Sequence, residues 1–295
     1  MDNMKIFCND NLIDKESIAE IFEPGFLFGW GVFETLRAYK GKIPFLDLHI
    51  ARLNDGLNTI GIEEVNIDFE KKIKELLKIN KLNDAYIRIT AYKKRESIRS
   101  TRPAKSRARS GLMLSKVEAS TGILIYVDKF GYYQEEAYEK GFAAIVSPYK
   151  RNTECPFWQV KSLSFLGNRL SWFEAQKQNK DEALILNEKD FLVGGSRSNL
   201  FIVKNGEVIT SPLSRGAFYG ITRKIVINEL KKMRIKLSEK EVTLNDLQTS
   251  DEAFLTSALL EVMPLVECGG VGIGSNKPGK VALQILTQYR KLCRT

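Results

Sequence analysis

Histidine is almost missing from this chain: its 295 residues include a single one, His49. The four cysteines, Cys8, Cys155, Cys268 and Cys293, are far apart and form no CxxC pair. Zinc sites and histidine-based nucleophile triads are therefore nearly excluded, and no metal is expected. Long apolar runs are also lacking. None approaches the roughly 18 residues of a membrane span, and the opening Met1-Asp2-Asn3-Met4-Lys5 leads into no signal-peptide core. A soluble cytoplasmic protein without a membrane partner is expected. The length is ample for a large core, so folding needs no disulfide.

A net charge of +9 is present, and it is local. Nine cations stand against the one acid Glu96 between Lys93 and Lys116, an excess of +8 that leaves +1 for the rest of the chain. With Ser97, Ser100, Pro103, Ser106 and Ser110 among them, this stretch reads as a long solvated loop. No aromatic residue interleaves the run, so a nucleic-acid partner is not expected.

Apolar spacing predicts a mixed α/β (α+β) protein. Leu46, Ile50, Leu53, Leu57 and Ile60 predict a helix over Asp47 to Ile60, and Phe69, Ile73, Leu76 and Leu77 a second over Asp68 to Asn80. Further helices are expected over Leu163 to Gln178, Thr222 to Met233 and Lys280 to Lys291. Strands are expected over Tyr86 to Tyr92, Gly122 to Val127, Phe142 to Ser147, Ala183 to Asn187, Leu200 to Val203 and Glu207 to Thr210. The polar, aromatic stretch Asp128 to Lys140 reads as a linker between domains over 1–127 and 141–295. Gly269, Gly270, Gly272 and Gly274 lack the Lys-Ser/Thr ending of a P-loop and read as a glycine-rich hairpin.

Several residues could carry chemistry. Lys161, at the start of a helix with Leu163, Leu166, Leu170 and Phe173, is either a surface lysine or a desolvated amine able to attack aldehydes. Gly220-Ile221-Thr222-Arg223 opens a helix whose free N–H groups could bind phosphate, or Thr222 is simply its N-cap. Thr256-Ser257-Ala258 ends a strand and reads as an anion-binding turn or an ordinary one. His49 is a general base or a structural histidine, and Arg52, three residues on, is a surface charge or a phosphate anchor.

A reactive lysine, an arginine and a phosphate-binding helix start together suit one cofactor, pyridoxal 5′-phosphate. The matching stretches are Phe28-Gly29-Trp30-Gly31-Val32-Phe33-Glu34-Thr35-Leu36-Arg37, Leu48 to Leu53, Val160-Lys161-Ser162-Leu163 through Asn168, Ser196-Arg197-Ser198-Asn199-Leu200-Phe201, Gly220 to Arg223, and Thr256 to Pro264. In that order and spacing the whole chain resembles the class IV (fold-type IV) pyridoxal-phosphate aminotransferases. That family includes branched-chain and D-amino acid aminotransferases and 4-amino-4-deoxychorismate lyase.

The resemblance implies a small N-terminal α/β domain, a larger C-terminal cofactor domain and a homodimer acting on amino acids and 2-oxo acids. It implies Lys161 as the Schiff-base lysine that moves the substrate Cα proton. Arg52 would hold the phosphate, with Ile221, Thr222, Ser257 and Ala258; Gly194, Ser198 and Asn199 would line the cofactor. Phe33, Thr35, Arg37 and Arg102 are the expected substrate pocket. One departure stands out. Where the family carries the glutamate that pairs with the pyridine nitrogen, this chain has Gly194, and the nearest acids along the chain are Glu188 and Asp190. That carboxylate keeps the ring an electron sink. Three readings follow: an aminotransferase whose ring nitrogen meets water or another side chain, a lyase on an aminodeoxychorismate-like substrate, and a weakly active cofactor-binding protein. Phe33-Glu34-Thr35 tilts the comparison toward the D-amino acid and lyase branches.

Overall fold

Alternation in the strand Ala85–Lys93 puts Ala85, Ile87, Ile89 and Ala91 on one fully buried face and Tyr86, Arg88 and Thr90 on the other. The computed structural model describes residues 5–8, 11–14, 23–94, 121–131, 133–155 and 157–294. Arg102 and nearly all of the basic stretch lie outside them.

The first elements are β1 (Lys5–Cys8) and β2 (Asn11–Asp14), an antiparallel pair, then a short helix α1 (Pro24–Leu27). An antiparallel sheet follows, in the order β3 (Gly31–Ala38), β4 (Ala85–Lys93) and β5 (Thr121–Lys129). Helices α2 (Leu46–Thr59) and α3 (Phe69–Ile79) cover its apolar face with Leu53, Leu57, Phe69, Ile73 and Leu77. Asp68 caps α3 by accepting from the Lys71 N–H at 2.9 Å.

The second sheet is mixed and has nine strands: β6 (Phe142–Val146), β7 (Glu182–Leu186), β8 (Leu192–Gly195), β9 (Asn199–Lys204), β10 (Glu207–Thr210), β11 (Leu237–Glu239), β12 (Glu252–Ser257), β13 (Glu261–Cys268) and β14 (Val271–Gly272). Its core includes Phe201 and Phe254, cross-strand partners stacked at 4.9 Å. Helices α4 (Glu135–Lys140), α5 (Leu166–Lys177), α6 (Ile221–Lys232), α7 (Leu244–Gln248) and α8 (Lys280–Arg294) complete the fold. The glycine-rich run forms the β13–β14 hairpin, with Gly269 and Gly270 at positive φ. Among the described residues no helix is long and apolar enough to cross a membrane, and no group of three potential metal ligands occurs.

Two expectations change. The helix expected from Leu163 starts only at Leu166, because residues 161–163 are extended along β3: Phe33 N–H donates to Lys161 O and Leu163 N–H to Gly31 O, both at 2.9 Å. That helix turns Ser171 and Ala175 inward and leaves Leu166, Leu170 and Phe173 exposed. The strand expected over Gly122 to Val127 is also longer, spanning Thr121–Lys129, and α4 covers Glu135–Lys140.

Candidate active site

Lys161 is held at its backbone by β3. Its Nζ sits 4.5 Å from the centre of the Phe33 ring and 5.5 Å from those of Phe165 and Phe218. The side chain makes no ion pair or hydrogen bond among the described residues. Burial of the amine, and then the charge of Arg52, push its pKa down to about 8; Glu34 opposes this and Arg88 adds to it. At pH 7 roughly one such lysine in ten is free amine, far more than for an ordinary lysine, and that is the form that attacks an aldehyde.

Glu34 shares its β3 face with the core residues Val32, Leu36 and Ala38, and so points at α2. There it meets His49 and Arg52, three residues apart on one helix face. Arg52 donates Nε to Oε1 at 2.7 Å and Nη2 to Oε2 at 2.6 Å, a bidentate pair. Burial alone would raise the Glu34 pKa, but the Arg52 charge and the hydrogen bonds from His49 and Arg52 hold it at about 2. Glu34 is therefore a carboxylate, and His49 Nδ1, 2.7 Å from Oε2, is the donor. Burial also lowers the His49 pKa, so it sits neutral in this pair. Of its two open readings, the structural one matches the geometry.

The turn 218–220 gathers the remaining groups. Arg52 donates Nη1 to Tyr219 O at 2.6 Å, and its guanidinium lies 5.1 Å from the Phe218 ring centre. Asn199 donates Nδ2 to Phe218 O at 2.8 Å, and a Cβ on Gly220 would stand 2.1 Å from Asn199 Oδ1, so a side chain there must displace the Asn199 amide. Gly220, not Thr222, is the N-cap of α6, with no side chain capping it. The first intrahelical bond is Lys224 N–H to Gly220 O at 3.0 Å, which leaves the N–H groups of Ile221, Thr222 and Arg223 ahead of it. Thr222 is buried, its hydroxyl 3.5 Å from that of Tyr289. Asn199 pairs in register with Thr256, so the Ser257-Ala258 turn follows directly from the neighbouring strand. The Thr256 hydroxyl is buried with no partner among the described residues, and Ser257 Oγ accepts from Leu260 N–H at 3.1 Å.

Gly194 and Gly195 explain their own chain position. Gly194 has φ +139°, and a Cβ there would lie 2.7 Å from Ser198 O; one on Gly195 would lie 2.3 Å from Ser198 Oγ and 2.8 Å from Glu182 Cδ. A side chain at 194 is strained in this backbone, so Gly194→Glu is no simple restoration. The acid nearest to this pair in space is also not Glu188 or Asp190. Glu188 accepts from Thr153 N–H and Oγ1, and Asp190 pairs with Lys150. It is Glu182 on β7, fully buried, which accepts from Ser196 N–H at 3.1 Å, Ser196 Oγ, Ser198 Oγ at 2.9 Å and Ala183 N–H at 3.0 Å. Ser198 is thus committed to Glu182.

Of the expected pocket, Phe33 lies against Lys161, and Thr35 is the register partner of Arg88. Arg37 goes elsewhere. It stacks between the rings of Tyr39 and Phe130, at 4.3 and 3.8 Å, and donates to Glu261 Oε1 at 3.2 Å. Glu261 also accepts from Tyr39 OH and Arg290 Nε, so this cluster joins the first sheet to β13 and α8. Arg88 was not singled out from the sequence, yet its guanidinium sits 3.9 Å from the Phe33 ring centre and its charge reaches Lys161. The signal was available: a cation alternating with Ile87 and Ile89 must occupy the face opposite the core.

The family model described as Amino-transferase class IV matches residues 31–268. A Methanocaldococcus jannaschii protein named as a branched-chain-amino-acid aminotransferase is 32% identical over 294 residues, covering 98% of this chain and 96% of that protein. The D-alanine aminotransferase of Bacillus licheniformis is 30% identical over 289 residues, covering 96% of this chain and 95% of its own. The solved branched-chain aminotransferase of Thermoproteus uzoniensis, with norvaline, superposes with a TM-score of 0.76 at 27% identity, over 99% of this chain and 95% of that one.

Proposed function

Because the chain belongs to the class IV aminotransferases, which are pyridoxal 5′-phosphate enzymes, we propose that it moves an amino group between an amino acid and a 2-oxo acid, with Lys161 as the lysine that takes the cofactor aldehyde. The observation that carries this is the convergence on the 218–220 turn of a buried low-pKa lysine, a fixed arginine and an uncapped helix start. That donor set suits a phosphorylated aldehyde: an amine for the carbonyl, and cationic and backbone N–H donors for the phosphate. When bound, the cofactor supplies the aldehyde and a ring that draws electrons from the substrate Cα.

In this reading Lys161 carries the proton to and from the substrate Cα, and Arg52, Ile221, Thr222, Ser257 and Ala258 bind phosphate. Phe33, Phe165 and Phe218 keep water from the amine, and Arg88 receives a substrate carboxylate. Gly194 supplies no carboxylate to the ring nitrogen, and serine donors already occupy Glu182, so water or another side chain meets that nitrogen. The exposed row Leu166, Leu170 and Phe173 on α5, with Phe157 nearby in sequence, supports a homodimer. The division into domains over 1–127 and 141–295 belongs to the same reading.

A panel pairing L-leucine, L-valine or D-alanine with pyruvate or 2-oxoglutarate tests the assignment. We expect turnover with at least one pair. Turnover with none, together with pyruvate release from aminodeoxychorismate, would move the assignment to the lyase branch.

The lysine also predicts a pH profile. Capture of pyridoxal phosphate by the apoprotein, followed by stopped-flow absorbance, should rise as pH increases through about 8 and level off above it, because only the free amine attacks. Arg88→Gln removes a cation that holds the pKa down, so its midpoint should move upward. An unmoved midpoint would mean that Arg88 does not act on the amine.

A further inference from the structure

We propose that Glu34 is the positioning residue of the phosphate anchor. It sets which edge of Arg52 the phosphate meets. The inference rests on Arg52 as that anchor. A guanidinium has five N–H groups. In Arg52, Nε–H and one Nη2–H go to the two oxygens of Glu34, and one Nη1–H goes to Tyr219 O. Two remain, one on each terminal nitrogen, and neither lies on the Nε/Nη2 edge that Glu34 occupies. Glu34 is itself held from behind, by His49 Nδ1 at 2.7 Å. The trio is closed in: the side chains of Glu34, His49 and Arg52 are 1%, 4% and 10% exposed, which leaves the arginine little room to turn.

Charge and position predict opposite outcomes here. Glu34 is a full negative charge beside the cation that should attract a phosphate. If charge alone mattered, removing it would tighten phosphate binding, and shortening it to aspartate would change nothing. If Glu34 works by aiming Arg52, both changes loosen the phosphate. Glu34→Gln puts an amide N–H against donors of Arg52 or His49. Glu34→Asp keeps the charge but draws the carboxylate back by one methylene.

The test titrates the wild type, Glu34→Gln and Glu34→Asp with pyridoxal 5′-phosphate and with pyridoxal, following the visible absorbance of lysine-bound cofactor. Pyridoxal has the same aldehyde and no phosphate, so the ratio of the two dissociation constants isolates the phosphate contribution. We expect the advantage of the phosphorylated form to fall by at least about tenfold in both variants, the loss of one hydrogen bond to a charged group. Pyridoxal binding should stay within about threefold of wild type in Glu34→Asp, which keeps the charge that acts on Lys161, and in Glu34→Gln a change in the amine affects both compounds and cancels in the ratio. An unchanged or larger ratio overturns the inference. So does a variant that fails to fold, because a positioning role requires a folded chain that still binds pyridoxal. If wild type forms no absorbance with either compound, it is the Lys161 assignment that fails instead.

Discussion

Lys161→Ala is expected to abolish amino transfer, by about 10⁴-fold or more, and to remove the visible absorbance of lysine-bound cofactor. The size of the loss follows from the neighbourhood. The charged groups that act on the Lys161 amine are Arg52, Glu34 and Arg88. None of these is an amine that could replace it, and an arginine does not lose its proton in a protein. The centres of three phenylalanine rings lie 4.5 to 5.5 Å from Nζ, and among the described residues no side chain hydrogen-bonds to it. Arg52 should be unaffected, since Glu34 and Tyr219 O hold it independently. The variant is therefore expected to bind the cofactor without a covalent link and to keep its melting temperature. The lysine side chain makes no hydrogen bond among the described residues that the fold would lose. A large fall in melting temperature would mean that the activity was lost by unfolding. Residual turnover near the wild-type rate would remove Lys161 from the mechanism.

Glu182→Ala should be the most damaging substitution for stability outside the apolar core. One carboxylate, fully buried, satisfies two backbone N–H groups and two serine hydroxyls. The hydroxyls can rotate to other acceptors. The Ser196 N–H keeps Ala183 O as a second acceptor at 2.9 Å, but the Ala183 N–H loses its carboxylate acceptor, and a cavity takes the place of the side chain. A loss of about 3–5 kcal/mol is expected, which lowers Tm by on the order of 10 °C in a chain of this size. Calorimetry of Glu182→Ala beside Glu182→Gln checks the cause. The amide keeps one acceptor, so its loss should be clearly smaller. Equal losses would show that volume, not the hydrogen bonds, matters at this position. The substitution also releases the 196–198 turn that leads into Asn199, so cofactor affinity should fall with stability.

Both predictions concern residues that the sequence marked unequally as candidates. Lys161 was legible through its surroundings in an ordered set of motifs that covers the chain. Glu182 was not. It stands beside Asp181 at the start of a strand, where two acids look like the end of a polar turn. Glu34 was quoted within a motif, but nothing in its spacing marks it as the partner of Arg52. Arg37 and Arg88 alternate on neighbouring strands and look alike in sequence. Only packing sends one to Glu261 and leaves the other against Phe33.

Helices α2 and α3 follow from the spacing of Leu53, Leu57, Phe69, Ile73 and Leu77, because a helix face is decided by residues three and four apart. β10 falls on Glu207–Thr210, as its apolar alternation requires. The one-histidine composition likewise leaves lysine as the reactive group to expect. Local order was enough for all of these. Tertiary structure alone decided that residues 161–163 leave the helix for β3, that a side chain at 194 would meet Ser198 O, and which carboxylates face which cations. Those outcomes depend on distances between residues far apart in the chain, and on charges that interact strongly only after folding has taken the water from between them.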